Sequence, residues 1–195
     1  MTRLVRFALI LAALVGGGLT AGGADAQPPP TPSAQLQGTF HMTGTVTVAK
    51  NIRGERVGDV AQRTWTFTPL CPTGPCATVQ LARQRATGTD TLVLQAVGPT
   101  TYTGTGRFYA PLRCTGLIYG AGQAVPFKIT VRVAATAPSP NGTVVSAITA
   151  AYVNRARLNL TPCIGVLGHD SATYTGQLAA GAMRSDRRTP AIAAS

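Results

Sequence analysis

Hydrophobic and polar positions alternate with a period of two along most of this chain. Phe40, Met42, Gly44, Val46 and Val48 alternate with His41, Thr43, Thr45 and Thr47. Residues 63–68 place Trp65 and Phe67 on one face and threonines on the other. Ala77, Val79 and Leu81 alternate with Thr78, Gln80 and Ala82, and residues 91–97 form a short, nearly continuous apolar run. Tyr102, Gly104, Gly106 and Phe108 share one face, as do Phe127, Ile129, Val131 and Val133, and Ala172, Tyr174, Gly176 and Leu178. A period of two is the signature of half-buried strands, and the Thr and Val enrichment agrees. The even positions of residues 144–160 are also mostly apolar. That run is too long for one ordinary strand, which predicts a bulge near residues 150–152.

Turn-forming residues separate these runs at 51–58, 72–75, 88–90, 98–99, 120–123, 138–142 and 165–168. No useful stretch carries helical periodicity. The pattern predicts an all-β domain, an antiparallel meander of about eight strands. Such a meander closes into a barrel or folds into a β-sandwich. The barrel is favoured because Gly44, Gly104, Gly106 and Gly176 fall on inward-reading faces, where strand glycines permit sharp bends.

The ends of the chain read differently. Arg3 and Arg6 precede an apolar run at residues 7–15, three glycines follow, and Ala24-Asp25-Ala26 offers a small-x-small cleavage site. Residues 1–26 are therefore expected to be a secretory signal peptide, with a secreted product, extracellular or periplasmic, after cleavage near Ala26. The apolar run is too short to span a bilayer, and no transmembrane segment is expected in the mature chain. Residues 27–35, with Pro28, Pro29, Pro30 and Pro32, predict a disordered proline-rich leader. Residues 36–180 are expected to be the single β-domain, and residues 181–195 a disordered tail.

Export changes the reading of Cys71, Cys76, Cys114 and Cys163, because an even cysteine count outside the cytosol points to disulfides. Three pairings are open. The expected one joins Cys71 to Cys76 across Pro72-Thr73-Gly74-Pro75, and Cys114 to Cys163. Loop closure makes the long bridge worth about 4 kcal/mol and the short one about 2 kcal/mol. A zinc site would want a second close pair, which Cys114 and Cys163 do not form.

The chain carries a formal charge of +11, which favours anionic partners. Arg107, Lys128, Arg132, Arg155 and Arg157 are the candidates for an anionic-binding surface, although arginine drift in a GC-rich genome yields the same bias. Nucleic acid is not expected, since no dense basic stripe with interleaved aromatics is present. Trp65, Phe67, Tyr102, Phe108, Phe127, Tyr152 and Tyr174 are the candidates to line a cavity for a small apolar ligand, and are equally what a β core uses.

Catalytic chemistry is thinly represented. His169-Asp170-Ser171 are adjacent in the chain and so point apart, unlike a converging triad. Of the acids, Glu55 and Asp59 flank a turn and are expected to pair with Arg53 or Arg56. No cofactor and no metal site is expected. Asn141-Gly142-Thr143 and Asn159-Leu160-Thr161 match the glycosylation sequon, which is idle in a bacterial chain.

Trp65-Thr66-Phe67-Thr68-Pro69-Leu70-Cys71, followed by Gly74-Pro75-Cys76, resembles a W-x-F-x-P-x-C…G-x-C motif of uncharacterised exported all-β domains from high-GC, actinobacteria-like bacteria. The resemblance covers about residues 36–180 and implies location and fold but no activity. The aromatic-rich exported meander is also weakly similar to lipocalin and calycin barrels, but Gly38-Thr39-Phe40 departs from their N-terminal Gly-x-Trp motif by having Phe in place of Trp. The expected function is a secreted, non-enzymatic binding module for a small apolar ligand or an anionic cell-envelope component. The alternatives are an extracellular hydrolase using His169, Asp170, Glu55 and Asp59, or an inhibitor of a secreted hydrolase presenting the loop between Cys71 and Cys76.

Overall fold

The computed structural model describes residues 30–114, 116–162 and 168–180. Nine strands follow in order: β1 (Gly38–Lys50), β2 (Val60–Pro69), β3 (Thr78–Arg85), β4 (Gly88–Gly98), β5 (Thr101–Cys114), β6 (Leu117–Ser139), β7 (Gly142–Asn154), β8 (Leu158–Asn159) and β9 (His169–Leu178). Every pairing between strands is antiparallel, and neighbours in the chain are neighbours in the sheet from β1 to β7. β9 pairs with both β7 and β1, so the sheet closes on itself as an eight-stranded barrel, with β8 added on the flank of β6. The barrel, not the sandwich, is the architecture. Closure satisfies the backbone groups that two open edges would leave bare.

The alternation read from the sequence sets the inward faces. Phe40, Met42, Trp65, Phe67, Leu81, Leu94, Tyr102 and Ile129 are all buried in one cluster. An eight-stranded barrel has an interior just wide enough for side chains to fill. Here the filling is tight where large residues meet glycine. A Cβ at Gly176 would collide with Met42, and one at Gly106 with the Phe127 ring.

One end of the barrel is closed by the chain that precedes β1. Gln35 lies parallel to the start of β7, donating to Thr143 O at 2.9 Å and accepting from Val145 N at 3.0 Å. Ser33 N donates to Pro99 O at 2.8 Å in the turn between β4 and β5. Ala34 and Leu36 are thereby buried across the barrel floor. The folded unit therefore begins earlier than Leu36. Residues 33–35 are joined to it by the single bridge at Gln35, the Ser33 backbone hydrogen bond and the buried Ala34 side chain. The same end carries the Cys71–Cys76 disulfide between β2 and β3, with Gly74 at φ 71°, and the Tyr102 hydroxyl donates to Cys76 O at 3.2 Å.

The Cys71–Cys76 pairing is as expected. The second expected pair falls outside the described residues through Cys163, and Cys114 is not a free thiol. The signal-peptide and tail assignments, residues 1–26 and 181–195, also lie outside them.

Three local expectations are corrected. Residues 120–123 do not turn: they run inside β6, opposite Ala110 to Leu112 of β5. Gly122 is there for close approach, since a Cβ would strike Leu112 and Tyr119. The hairpin between β3 and β4 turns at residues 86–87, and residues 88–90 already belong to β4. β7 runs unbroken through residues 150–152. The register shifts fall nearer its start, with Ala134 the extra residue on β6 and Ser146 the extra residue on β7, and the chain leaves the sheet after Asn154.

Candidate functional site: a charged barrel mouth

Inward-facing positions change character along the barrel. On β2 they run Phe67, Trp65, Arg63; on β3, Leu81, Arg83, Arg85; on β4, Leu94, Leu92, Asp90. On β7, Tyr152 is followed by Asn154, and on β9, Ala172 is preceded by Asp170. All five strands switch from apolar to polar toward the same end, the one opposite the Leu36 floor. That end is open. It holds a cavity of about 770 Å³ walled by Arg63, Arg83, Arg85, Phe108, Tyr152, Arg157, Asp170 and Tyr174, with Ile52, Arg53 and Glu55 of the β1–β2 loop over it. A volume in this range suits a small ligand.

The deepest charge is Arg83, only 4 % exposed. Its Nε donates to Asp90 Oδ1 at 2.9 Å and its second guanidinium nitrogen to Oδ2 at 2.6 Å, a two-point bond. The guanidinium carbon sits 4.4 Å from the Phe127 ring centre and 5.0 Å from that of Tyr152. Aromatic faces attract a desolvated cation, so these rings replace part of the water that Arg83 has lost. Arg85 lies 3.3 Å from the same Asp90 and stacks 4.2 Å from the Phe108 centre. Two arginines thus share one carboxylate. Across the mouth Arg157 donates to Asp170 Oδ1 at 3.0 Å.

Polar atoms remain unanswered around this wall. Arg157 Nε is buried without a hydrogen-bond partner among the described residues, and Arg85 Nε has only its 3.3 Å ion-pair contact with Asp90. Such atoms cost free energy unless water or a ligand meets them. Burial, and next the Asp170 charge, push the Tyr152 phenol far up, so it stays a donor. Burial likewise raises Tyr174. At the rim, the Glu55 carboxyl is raised first by desolvation and then by Asp170, with Arg157 and Arg63 opposing. Among the described residues neither Glu55 nor Asp59 forms the expected ion pair with Arg53 or Arg56; Asp59 Oδ2 accepts instead from the Arg56 backbone N–H at 2.7 Å.

The aromatic candidates divide. Phe108, Tyr152 and Tyr174 line the cavity. Trp65, Phe67, Tyr102 and Phe127 belong to the buried core, where Trp65 packs 5.0 Å from Tyr174 and Phe127 5.6 Å from Tyr152. They fill the half of the barrel below the mouth, where opposing side chains meet. Among the basic candidates, Arg157 turns into the cavity, while Arg107, Lys128 and Arg132 stand exposed on the outer wall of β5 and β6 and Arg155 is exposed beyond β7. Asp170 points inward while its neighbours His169 and Ser171 occupy the other face, so the three do not converge.

Arg63, Arg83, Arg85 and Asp90 were not among the candidates. The signal for them was present: each continues the inward parity of an apolar strand. Among the described residues no group of His, Cys, Asp and Glu is arranged to hold a metal ion. No protein-family model and no curated protein matches the chain.

Proposed function

We propose that the chain is an exported, non-enzymatic binding module whose barrel mouth takes a small anionic molecule with an apolar or aromatic body. The carrying observation is the inward arginine wall. Arg83 and Arg85 share Asp90, and Arg157 uses Asp170, while Arg63 and Arg113 line the same cavity without an ion pair among the described residues. A cavity with that positive excess and low-dielectric walls focuses its field on an anion. Arginine is suited to planar carboxylate, sulfonate or phosphate groups because its donors form a fork. Phe108, Tyr152 and Tyr174 offer faces to the rest of the ligand.

This reading merges the two expected ligand classes: an apolar body with an anionic head satisfies both. Export is supported by the order of residues 1–26 and by the Cys71–Cys76 bridge, which forms in oxidising compartments. The test is fluorescence titration with anilinonaphthalene sulfonate, competed by dodecanoate and by dodecanol. Competition by the carboxylate but not the alcohol is expected, with loss in Arg63→Ser and Arg85→Ser. Equal competition by both would make the site merely apolar.

A second reading, an extracellular hydrolase, draws on Glu55 and Asp170 sharing the mouth, with Glu55 holding its proton above the usual range. A carboxyl so tuned suits a general acid. Turnover of a glycoside or ester substrate that disappears in Glu55→Gln would favour it over simple binding.

A further inference from the structure

Charge and exposed apolar surface gather at the same end of the barrel. Lys50, Arg53, Arg56, Arg113 and Arg155 are exposed around the mouth, with Glu55 and Asp59 as exposed acids of the same rim. Among the described residues, the opposite end at 33–38, 69–78, 98–101 and 139–142 carries no charged side chain. The exposed large apolar residues follow the same asymmetry. Val57, Val60, Leu117, Ile118, Leu158 and Leu160 belong to the loops and strand ends around the mouth, Leu70 and Val97 sit at the closed end, and Val93 and Tyr109 lie between them on β4 and β5. Val57 is 67 % exposed, Leu117 60 % and Leu160 54 %.

These apolar side chains are not one flat patch. They sit on three separate pieces: the β1–β2 loop, the tip of the β5–β6 hairpin, and the short β8 segment that follows β7. Basic residues stand beside each: Arg56 next to Val57, Arg113 opposite Ile118, Arg155 ahead of Leu158. A ring of isolated apolar tips with cations between them does not match a single folded partner face. It matches a fluid interface, where each tip enters the acyl boundary independently and each cation meets an anionic headgroup. On β1, β9 and β7 the outer wall beyond the rim is polar, with Thr43, Thr45, Thr149, Thr173 and Thr175, and the exposed Val93 and Val97 of β4 do not extend into a band around it. That is the reverse of a membrane-spanning barrel, which turns an apolar band outward.

We infer that the rim of the barrel mouth docks on an anionic lipid bilayer, so that the cavity opens toward the membrane and takes its anionic amphiphile from that surface. The ligand source rests on the cavity reading proposed above; the docking itself does not.

The experiment is vesicle flotation of the full chain, produced through an export pathway that forms its disulfides. Vesicles of phosphatidylcholine alone are compared with vesicles of phosphatidylcholine plus phosphatidylglycerol. Flotation with the anionic vesicles only, weakening as salt is added, is expected. Arg155→Ser should weaken partition by about five-fold, and Arg56→Ser/Arg155→Ser by about twenty-five-fold. Val57→Ser/Leu117→Ser should weaken it by at least about ten-fold. None of these four residues lines the cavity, so anilinonaphthalene sulfonate binding in the same variants should stay at the wild-type level and reports that they are folded. Absence of flotation, or equal flotation with neutral vesicles, overturns the inference even when the dye binds. Flotation without dye binding supports docking and removes the cavity reading instead.

Discussion

Gly44 and Tyr174 face each other across the pairing of β1 with β9, and the Tyr174 ring occupies the space that a Cβ on Gly44 would need. The glycine lets the ring lie flat against the strand. From there Tyr174 reaches both Trp65, 5.0 Å away, and the cavity wall. One missing methyl thus shapes the boundary between packed core and open mouth. Gly44→Ala should cost about 1–3 kcal/mol of stability, as overpacked cores do. Urea unfolding checks it through a lowered midpoint with an unchanged slope. Dye binding should fall as well, because the ring must move into the cavity.

Among the described residues, Asp90 is the only carboxylate within ion-pair distance of the buried Arg83. Asp90→Ala should cost about 3–5 kcal/mol, since it strands a desolvated cation. Arg83→Leu/Asp90→Leu should lie much closer to wild type, because an apolar pair replaces a buried ion pair with little net loss. Thermal unfolding of the two variants separates the stranded-charge penalty from the worth of the pair.

Glu55 predicts a pH dependence of definite sign. Its folded-state pKa lies above the ordinary 4.5. Between those two values the folded chain holds a proton that the unfolded chain has released, so stability falls as pH rises through that window. The charges that act on it are Asp170 and Asp59, which favour the neutral form, and Arg157 and Arg63, which oppose them. Protonation also removes a negative charge from the mouth. Affinity for an anionic dye should therefore rise as the solution is acidified through the same window. In Glu55→Gln this contribution should vanish, leaving a flatter titration; an unchanged profile would place the titrating group elsewhere.

The closed end should be separable from the mouth. Leu36→Ala should cost about 2–5 kcal/mol, because the side chain is fully buried in the barrel floor. Cys71→Ser/Cys76→Ser should cost about 2 kcal/mol through the short loop it opens. Both lesions lie at the end opposite the arginines. Below the unfolding transition, dye affinity should stay at the wild-type level in each, as fluorescence titration would read.

Strands were legible because their signal is local. The Trp65–Phe67 strand needed only its own period to be read, and the Cys71–Cys76 bridge only its turn. Arg63, Arg83, Arg85 and Asp90 escaped the same reading although they obey the same parity. A charged residue at the end of an alternating run reads as a strand that has reached solvent. Here the run continues inward, and the barrel encloses the charge among Phe108, Phe127 and Tyr152. The sequence could not show that β3 and β6 face each other across the barrel, so it could not supply the rings that receive Arg83. Ala34 escaped for a related reason. A proline-rich approach reads as unfolded until a barrel end exists for Ala34 to fill beside Leu36.

By itself the sequence determined the all-β character of this protein, the inward face of nearly every strand, the meander order and the short disulfide. Each of these depends on residues close together in the chain, through the two-residue period of a strand or the reach of a turn. Only the tertiary structure decided that the sheet closes, which end is floored, and that the polar ends of five strands converge on one mouth. Those facts depend on register between distant strands: a one-residue shift would turn Arg83 and Asp90 to solvent, and no local pattern records which strand lies opposite.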